Sequence, residues 1–443
     1  MANQDPKLIE KIRQQFEHLP YPNVPLDKSP KHDLNFLFVH NLVTPYYLRN
    51  QKVIETEDKV ILDAGCGSGY KALALAEANP GAKVVGVDLS EASVNLARQR
   101  LQYYGFGNTE FYAISIEDLP SLNLQFDYIN NDEVLYLLPD PVAGLQAMKS
   151  VLKSDGIIRT NLHSALQRSD FFRAQAVFRM MGLMDENPQE LELGLVREIM
   201  EALKDEIYLK VKTWHPEKVQ DDSYLLTNYL LQGDKGFTIP EVFAALKASG
   251  LEFISMVQWQ RWEITNLFKA PDNLPAFLEM SLPEIVIEER LHLFELLHPM
   301  HRLLDFWCGH PSQDRSFKPV SEWQLSDWQQ AQVHLHPQLK HMEAKEELIT
   351  CINRHRPFDI SRYVNTAVGV DVPFLIDSTV AASLLPLWNA PQSVTSIVER
   401  LLQVRAINPV TLEPTSKTEA FEEIKRLLSR LEVFLYVLLE TSS

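Results

Sequence analysis

The sequence predicts an α/β protein with a doubly wound, mainly parallel sheet, and three observations carry that expectation. Short apolar runs of strand length alternate with helical stretches from residue 59 to 161, the pattern that covers both faces of a parallel sheet with helices. One run, Val60-Ile-Leu-Asp-Ala-Gly-Cys-Gly-Ser-Gly69, enters a turn with glycine at every second position. A later run, Lys83-Val-Val-Gly-Val-Asp88, ends in an acid as a second, neighbouring strand would.

The elements follow in order. Residues 6 to 18 read as a helix, with Leu8, Ile9, Ile12 and Phe16 at helical spacing. Three prolines in Leu19-Pro-Tyr-Pro-Asn-Val-Pro25 then forbid regular structure. That stiff segment, carrying Tyr21, reads equally as a lid over a ligand and as a linker on the surface. A second helix is expected from about Asp33 to Asn50, bearing Phe36, Leu37, Phe38, Leu42, Tyr46 and Tyr47, with His40 a packing residue. Strands are expected at 59–64, 83–88, 109–113, 126–130 and 157–161. Helices are expected at about 70–79, from Ser90 as N-cap to Tyr104, and at 141–152.

The glycine turn has a chemical meaning. Glycine admits left-handed backbone angles and lets the main chain touch a ligand. The helix behind the turn directs its amides at whatever is bound. The spacing then narrows the ligand. A dinucleotide fingerprint requires glycine where Tyr70 stands, and a phosphate loop requires Lys followed by Ser or Thr. Asp-x-Gly-x-Gly-x-Gly with Asp88 at the end of the next strand suits a ribose, whose two hydroxyls one carboxylate can accept.

Together these residues resemble the first two motifs of class I S-adenosylmethionine-dependent methyltransferases. Phe126-Asp127…Val134-Leu-Tyr-Leu-Leu-Pro-Asp-Pro141 resembles that family's fourth-strand motif, and Ile116-Glu117-Asp118-Leu119 stands where the family holds adenine. Two departures are visible. Ile114-Ser115 replaces the usual Gly-Asp lead, so the acid that contacts the adenine amine is missing. No histidine lies near Tyr136-Leu137, where many relatives have one. The resemblance implies S-adenosyl-L-methionine as cofactor. It implies that Gly65, Cys66, Gly67 and Gly69 form the cradle of its amino-acid part and that Asp63 orients the loop and the cofactor's ammonium. It also implies that Asp88 binds the ribose, that Leu89, Ile116 and Glu117 bound the adenine, and that Asn131 offers its backbone near the methionine moiety. Tyr21, Tyr136 and His163 are the catalytic candidates. His163 comes first as a base because it follows a strand at the carboxyl edge, although a hydrogen-bonded structural histidine fits the position equally.

A helical insertion is expected at about 165–233. Its apolar residues Phe171, Phe172, Ala176, Phe178, Met180, Met181 and Leu183 suit either a substrate-binding cap or packing against the sheet. After a helix ending near Gly250, Leu251–Ser255 and Met256–Trp262 read as an antiparallel hairpin completing a seven-stranded sheet. The expected domains are therefore 1–58 (helices and proline-rich segment), 59–265 (methyltransferase), 266–369 (helical linker, helical especially over Leu282–Leu304) and 370–443. The last is a mainly helical, winged-helix-like module with an apolar stretch at Val372–Ile376. Its long final helix carries Phe421, Ile424, Leu427, Leu428, Leu431, Phe434, Leu435 and Leu438.

Composition bounds the partners. The 443 residues carry a formal charge of −17. This argues against a broad nucleic-acid surface, and no dense basic cluster marks the final helices. No apolar run reaches membrane-spanning length, and the amino terminus lacks a signal-peptide pattern. Three cysteines, Cys66, Cys308 and Cys351, make no disulfide framework, so the expected compartment is the cytoplasm. His301, Cys308 and His310 fit no zinc spacing, and no metal is expected. The expected activity is methyl transfer to an O or N nucleophile of a small molecule. A protein side chain such as lysine is the alternative acceptor, and a methyltransferase-like binding protein the alternative class. A homodimer through the C-terminal region is left open.

Overall fold

The computed structural model describes residues 6–18, 20–311, 317–364 and 373–441; Leu19, Val372 and the side chains of Leu8 and Ile9 lie outside what is described. The strands of the main sheet are β1 (Val60–Ala64), β2 (Lys83–Asp88), β3 (Thr109–Ala113), β4 (Phe126–Asn131), β5 (Leu152–Ser164), β6 (Gly236–Phe237), β7 (Glu252–Met256) and β8 (Leu303–Gly309). Their order is β3-β2-β1-β4-β5-β8-β7, with β6 beside the end of β5. Strands β1 to β5 are mutually parallel, whereas β8 runs antiparallel between β5 and β7. The central strands β1, β2 and β4 are buried along most of their length because helices cover both faces. One face packs Leu62, Val85, Ile129 and Ile158 and the other Ile61, Val84, Tyr128 and Ile157.

The doubly wound fold is as expected, but its closing strand is elsewhere. Met256–Trp262 is not the second arm of a hairpin: β7 ends at Met256 and Trp259–Trp262 is a short 3-10 helix. The last strand is β8, inside the stretch read as a helical linker. The expected helix over Leu282–Leu304 is a helix only at Ile287–Leu297. Buried on both faces, Phe306, Trp307 and Cys308 form a strand, because β8 inserts between two others rather than lying on a surface. The sheet therefore runs to Gly309, past the boundary expected at 265.

The expected helix 33–50 is also broken, into Leu34–Val39 and Val43–Asn50. Buried Asn79 explains the break: its Oδ1 accepts from Leu42 N at 2.8 Å and its Nδ2 donates to the His40 carbonyl at 2.8 Å.

The insertion forms four helices, Ser169–Met180, Glu190–Ala202, Tyr208–Thr213 and Asp222–Tyr229. They bury Phe178, Val196, Met200, Leu225 and Tyr229 in a core of their own. Met180 and Met181 are exposed, so those methionines do not pack on the sheet.

The C-terminal unit has the small strands β9 (Ala331–Leu335), β10 (Phe358–Asp359), β11 (Leu375–Ile376), β12 (Gln392–Ser393) and β13 (Val437–Thr441). Helices Ser378–Leu384, Val394–Val404 and Lys417–Val433 pack on the antiparallel sheet β12-β9-β13. Its central strand β9 comes from the stretch assigned to a linker, so 370–443 is not self-contained. The final helix ends at Val433, and Leu438 belongs to β13. Phe38, Val43 and Tyr47 of the N-terminal helices share this unit's core. The Tyr47 hydroxyl donates to the Leu439 carbonyl at 3.2 Å and accepts from Leu439 N at 3.0 Å, fixing the unit to the sheet domain.

Candidate active site

The turn after β1 is shaped by what cannot be there. Gly65 and Gly67 have φ of +87° and +49°. A Cβ on Gly67 would stand 2.0 Å from the Tyr21 carbonyl oxygen, and one on Gly65 would stand 2.3 Å from Val134 Cγ2. Gly69 serves another purpose: it caps the helix Tyr70–Ala78 and lies against Ala97, whose Cα would be 2.6 Å from a Cβ. Asp88, at the end of β2, ties the turn down. Its Oδ2 accepts from Gly67 N and its Oδ1 from Ser90 N, both at 2.9 Å. Burial pushes this carboxyl up, against those two bonds.

Beside the turn opens a chamber of about 1050 Å³. Of the expected cofactor residues, Gly65, Cys66, Gly67, Asp88, Leu89, Ile116 and Glu117 line it. Asp63, Gly69 and Asn131 do not. Asn131 is buried in β4, where its Nδ2 donates to the Ala64 carbonyl at 2.8 Å and braces the turn from behind. Asp63 is buried; its Oδ1 accepts from Asn130 Nδ2 at 2.8 Å while Oδ2 has no partner. Burial raises its pKa to about 6.

The proline-rich segment is a wall of this chamber, strapped to the turn. Ser68 N donates to the Tyr21 carbonyl at 3.0 Å and Ser68 Oγ to that of Pro22 at 2.7 Å. Buried Arg100 donates to the carbonyls of Ser68, Val24 and Pro25 at 2.7 to 2.9 Å. A glycine cradle, a carboxylate with spare acceptor capacity and the apolar pair Leu89 and Ile116 fit a nucleoside joined to a polar tail.

Three residues that sequence reasoning passed over complete the chamber: Lys71, Asp132 and Glu133. Lys71 Nζ lies 2.7 Å from Asp132 Oδ2 and 3.6 Å from Glu133 Oε2. Burial opposes ionisation of both acids, but Lys71, with Arg159 at Asp132 and Arg302 at Glu133, holds both below the usual carboxylate range. A lysine two places after the last glycine, with an acid pair after the fourth strand, was the available signal.

A second chamber of about 1260 Å³ adjoins the first. Its walls combine the strap, the ends of β4 and β5, the insertion and Arg302 just before β8. Phe16, Tyr21, Glu133 and Leu137 line both chambers. All three catalytic candidates line the second one, but His163 is not free to act as a base. Its Nδ1 faces Asp234 Oδ1 at 2.6 Å and its Nε2 faces Arg302 Nη1 at 3.1 Å. Arg302 can only donate, so the ring is neutral with its proton on Nδ1. Burial lowers the imidazole pKa, and Arg168 and Arg302 outweigh Asp234. Tyr136 stacks on that ring with centroids 3.7 Å apart. Tyr21 is held neutral by burial and by Glu133. His301, Cys308 and His310 serve elsewhere: stacked on Trp262, buried in β8, and facing the Leu152 carbonyl.

Comparison with known proteins agrees with this geometry. Residues 55–229 match a family model described as a methyltransferase domain. An uncharacterized protein of Synechococcus sp. is 26% identical over 70% of this chain and 73% of its own length. The ubiquinone biosynthesis O-methyltransferase of Histophilus somni is 31% identical over 36% of this chain, which spans 63% of that enzyme. Among solved structures, PKMT2 from Rickettsia typhi in complex with AdoHcy shares the fold, with a TM-score of 0.59 at 16% identity. That likeness covers 93% of this chain and 76% of PKMT2. The family match thus gives the chain a methyltransferase domain over residues 55–229, and the glycine cradle and Asp88 lie inside it.

Proposed function

We propose that the chain methylates an O or N nucleophile of a small molecule enclosed beneath the helical insertion. The observation that carries this is the second chamber, which meets the first at Tyr21 and Glu133 and is roofed by Phe171, Tyr224 and Asn228 of the insertion. When bound, S-adenosylmethionine supplies an electrophilic methyl group on a sulfonium centre. Gly65 and Gly67 let the main chain approach its amino-acid part, and Asp88 accepts from the ribose hydroxyls. Leu89 and Ile116 bound the adenine beside Glu117. Asp63, Gly69 and Asn131 act from behind, holding the turn rather than touching the ligand. Tyr21 and Tyr136 wall the acceptor side, and His163 holds Arg302 in place. Catalysis then rests on alignment: fixing the nucleophile against the methyl replaces a bimolecular encounter with a positioned one.

A protein side chain is the second reading, favoured by the fold shared with PKMT2 over nearly the whole chain, C-terminal unit included. Incubating a cell extract with methyl-labelled cofactor and separating it by ultrafiltration distinguishes the two. Label in the low-mass fraction supports the small-molecule reading, and label retained with protein overturns it.

A further inference from the structure

With the cofactor in the first chamber and the acceptor in the second, as proposed above, methyl transfer falls at their boundary, and four side chains line both: Phe16, Tyr21, Glu133 and Leu137. Only Tyr21 and Glu133 are polar. Glu133 is held with unusual care. Its backbone sits in the left-handed region at φ +64°, which is strained for a residue with a Cβ. Its amide donates to buried Asn161 Oδ1 at 2.8 Å. Its side chain is only 12% exposed. The Arg302 guanidinium donates to Oε1, while Lys71 stands 3.6 Å from Oε2 and gives its short contact to Asp132 instead. Oε2 therefore keeps acceptor capacity at the boundary.

A chain of contacts leads from there to the insertion. Arg302 meets His163, His163 meets Asp234, and buried Asp234 accepts from Arg168 at 3.0 Å and Gln175 at 2.8 Å. The same elements that roof the acceptor chamber thus set the orientation of the Glu133 carboxylate.

We propose that Glu133 receives the nucleophile directly and that the acceptor is an amine; this rests on the methyltransferase reading above and chooses N over O within it. A hydroxyl must lose a proton as it attacks, and the groups at the boundary are poor bases for it. Both His163 nitrogens are engaged, Tyr21 is a neutral phenol, and Arg302 and Lys71 beside Glu133 make its carboxylate a weak base. An amine can lose its proton before the attack and needs no base during it. It sheds a proton to water before reaction, its lone pair forms the N–C bond to the methyl carbon, and the C–S pair returns to sulfur. The positive charge moves from sulfur to nitrogen, next to an anion and beside the aromatic side chains of Phe16 and Tyr21, a setting that favours a cation. Glu133 accepts an N–H hydrogen bond throughout, and the methylated ammonium releases its proton to water on leaving.

Two probes test this on the full-length protein: S-adenosylhomocysteine analogues with nitrogen in place of sulfur, one bearing an aminopropyl and one a hydroxypropyl chain. The expected calorimetric result is that the aminopropyl probe binds about 10- to 100-fold tighter, as a charge-assisted hydrogen bond provides. In Glu133→Gln that ratio falls to within about threefold, while Glu133→Asp keeps part of it. The ratio is the readout because the nucleoside part is common to both probes. Equal binding of the two probes to the native protein, or a ratio that persists in Glu133→Gln, overturns the assignment. If S-adenosylhomocysteine itself does not bind, the methyltransferase reading fails first, and the choice of amine fails with it.

Discussion

The cradle of the first chamber is built from residues close together along the chain, and the second chamber from residues far apart. Gly67 and Asp88, which meet in the cofactor cradle, are 21 positions apart, whereas His163 and Asp234 are separated by 71 and Arg302 and Glu133 by 169. Local geometry dictates the first: a strand must end, turn without side chains, and start a helix, and only a narrow set of residues permits that. The second depends on where an insertion folds and where the last strand enters the sheet. Chemistry common to a family can therefore be written in a contiguous motif, while choice of acceptor is distributed. Substitutions in the two chambers should accordingly separate, the first set moving cofactor binding and the second leaving it alone.

The largest effect is expected at Gly67. Gly67→Ala places a Cβ against the Tyr21 carbonyl and in a strained backbone region. The two costs together are about 2–5 kcal/mol, so S-adenosylmethionine affinity should fall roughly 30-fold to several thousand-fold by calorimetry. Gly105→Ala is the control: its φ is also positive, but a Cβ there meets nothing within 4 Å. Its cofactor affinity should match the parent. Equal losses in both would show that the contact with the strap is irrelevant.

Next comes Asp63, behind the cradle. Its folded pKa of about 6 exceeds the ordinary 3.8 because burial disfavours the anion. The folded protein thus holds this proton more tightly than the unfolded chain. That contribution to stability is present at low pH and is lost as pH rises from about 4 through about 6. Asp132, Glu133 and Asp234, with lowered values, act with the opposite sign, losing their contribution as pH falls. In Asp63→Asn the first term disappears. Its stability relative to the parent should rise across pH 4 to 6 by as much as about 3 kcal/mol, at about 1.4 kcal/mol per pH unit. Denaturant titrations at pH 4 and pH 7 check it, and a constant difference would refute the assignment. For Asp88→Ala the expected loss of cofactor affinity is about 1.5–3 kcal/mol, without unfolding. Unchanged affinity would remove Asp88 from the ribose site.

How much of this was legible follows the same division. The strand–turn–helix at 60–78, Asp88 and the strap residue Tyr21 could be read because each depends on neighbours in sequence. Strand β8 was misread because Leu303-Leu-Asp-Phe-Trp-Cys-Gly309 follows a helix and has no partner nearby; β5 and β7 define it, and both lie far upstream. The same reason hid β9 inside a stretch assigned to a linker. His163 was placed correctly at the carboxyl edge of β5, yet its role turned on Asp234 and Arg302, which no local pattern connects to it. Lys71 stood in plain sight beside the glycine turn. Its partners Asp132 and Glu133 arrive only when β4 pairs with β1.

The smallest effect tests the second chamber. Tyr224 lines it from the insertion, and its ring lies 6.0 Å from Lys218 Nζ, with an edge contact to Tyr229. It does not line the first chamber. Tyr224→Ala removes one aromatic wall, worth about 1 kcal/mol of acceptor contact, so methyl incorporation at limiting acceptor should fall about fivefold. S-adenosylmethionine affinity should stay within about twofold of the parent. Labelling of an extract fraction at limiting acceptor, beside calorimetry with the cofactor, gives both numbers. A matched fall in the two would mean that the chambers are one energetic unit, and the insertion would then be part of the cofactor site rather than the element that selects the acceptor.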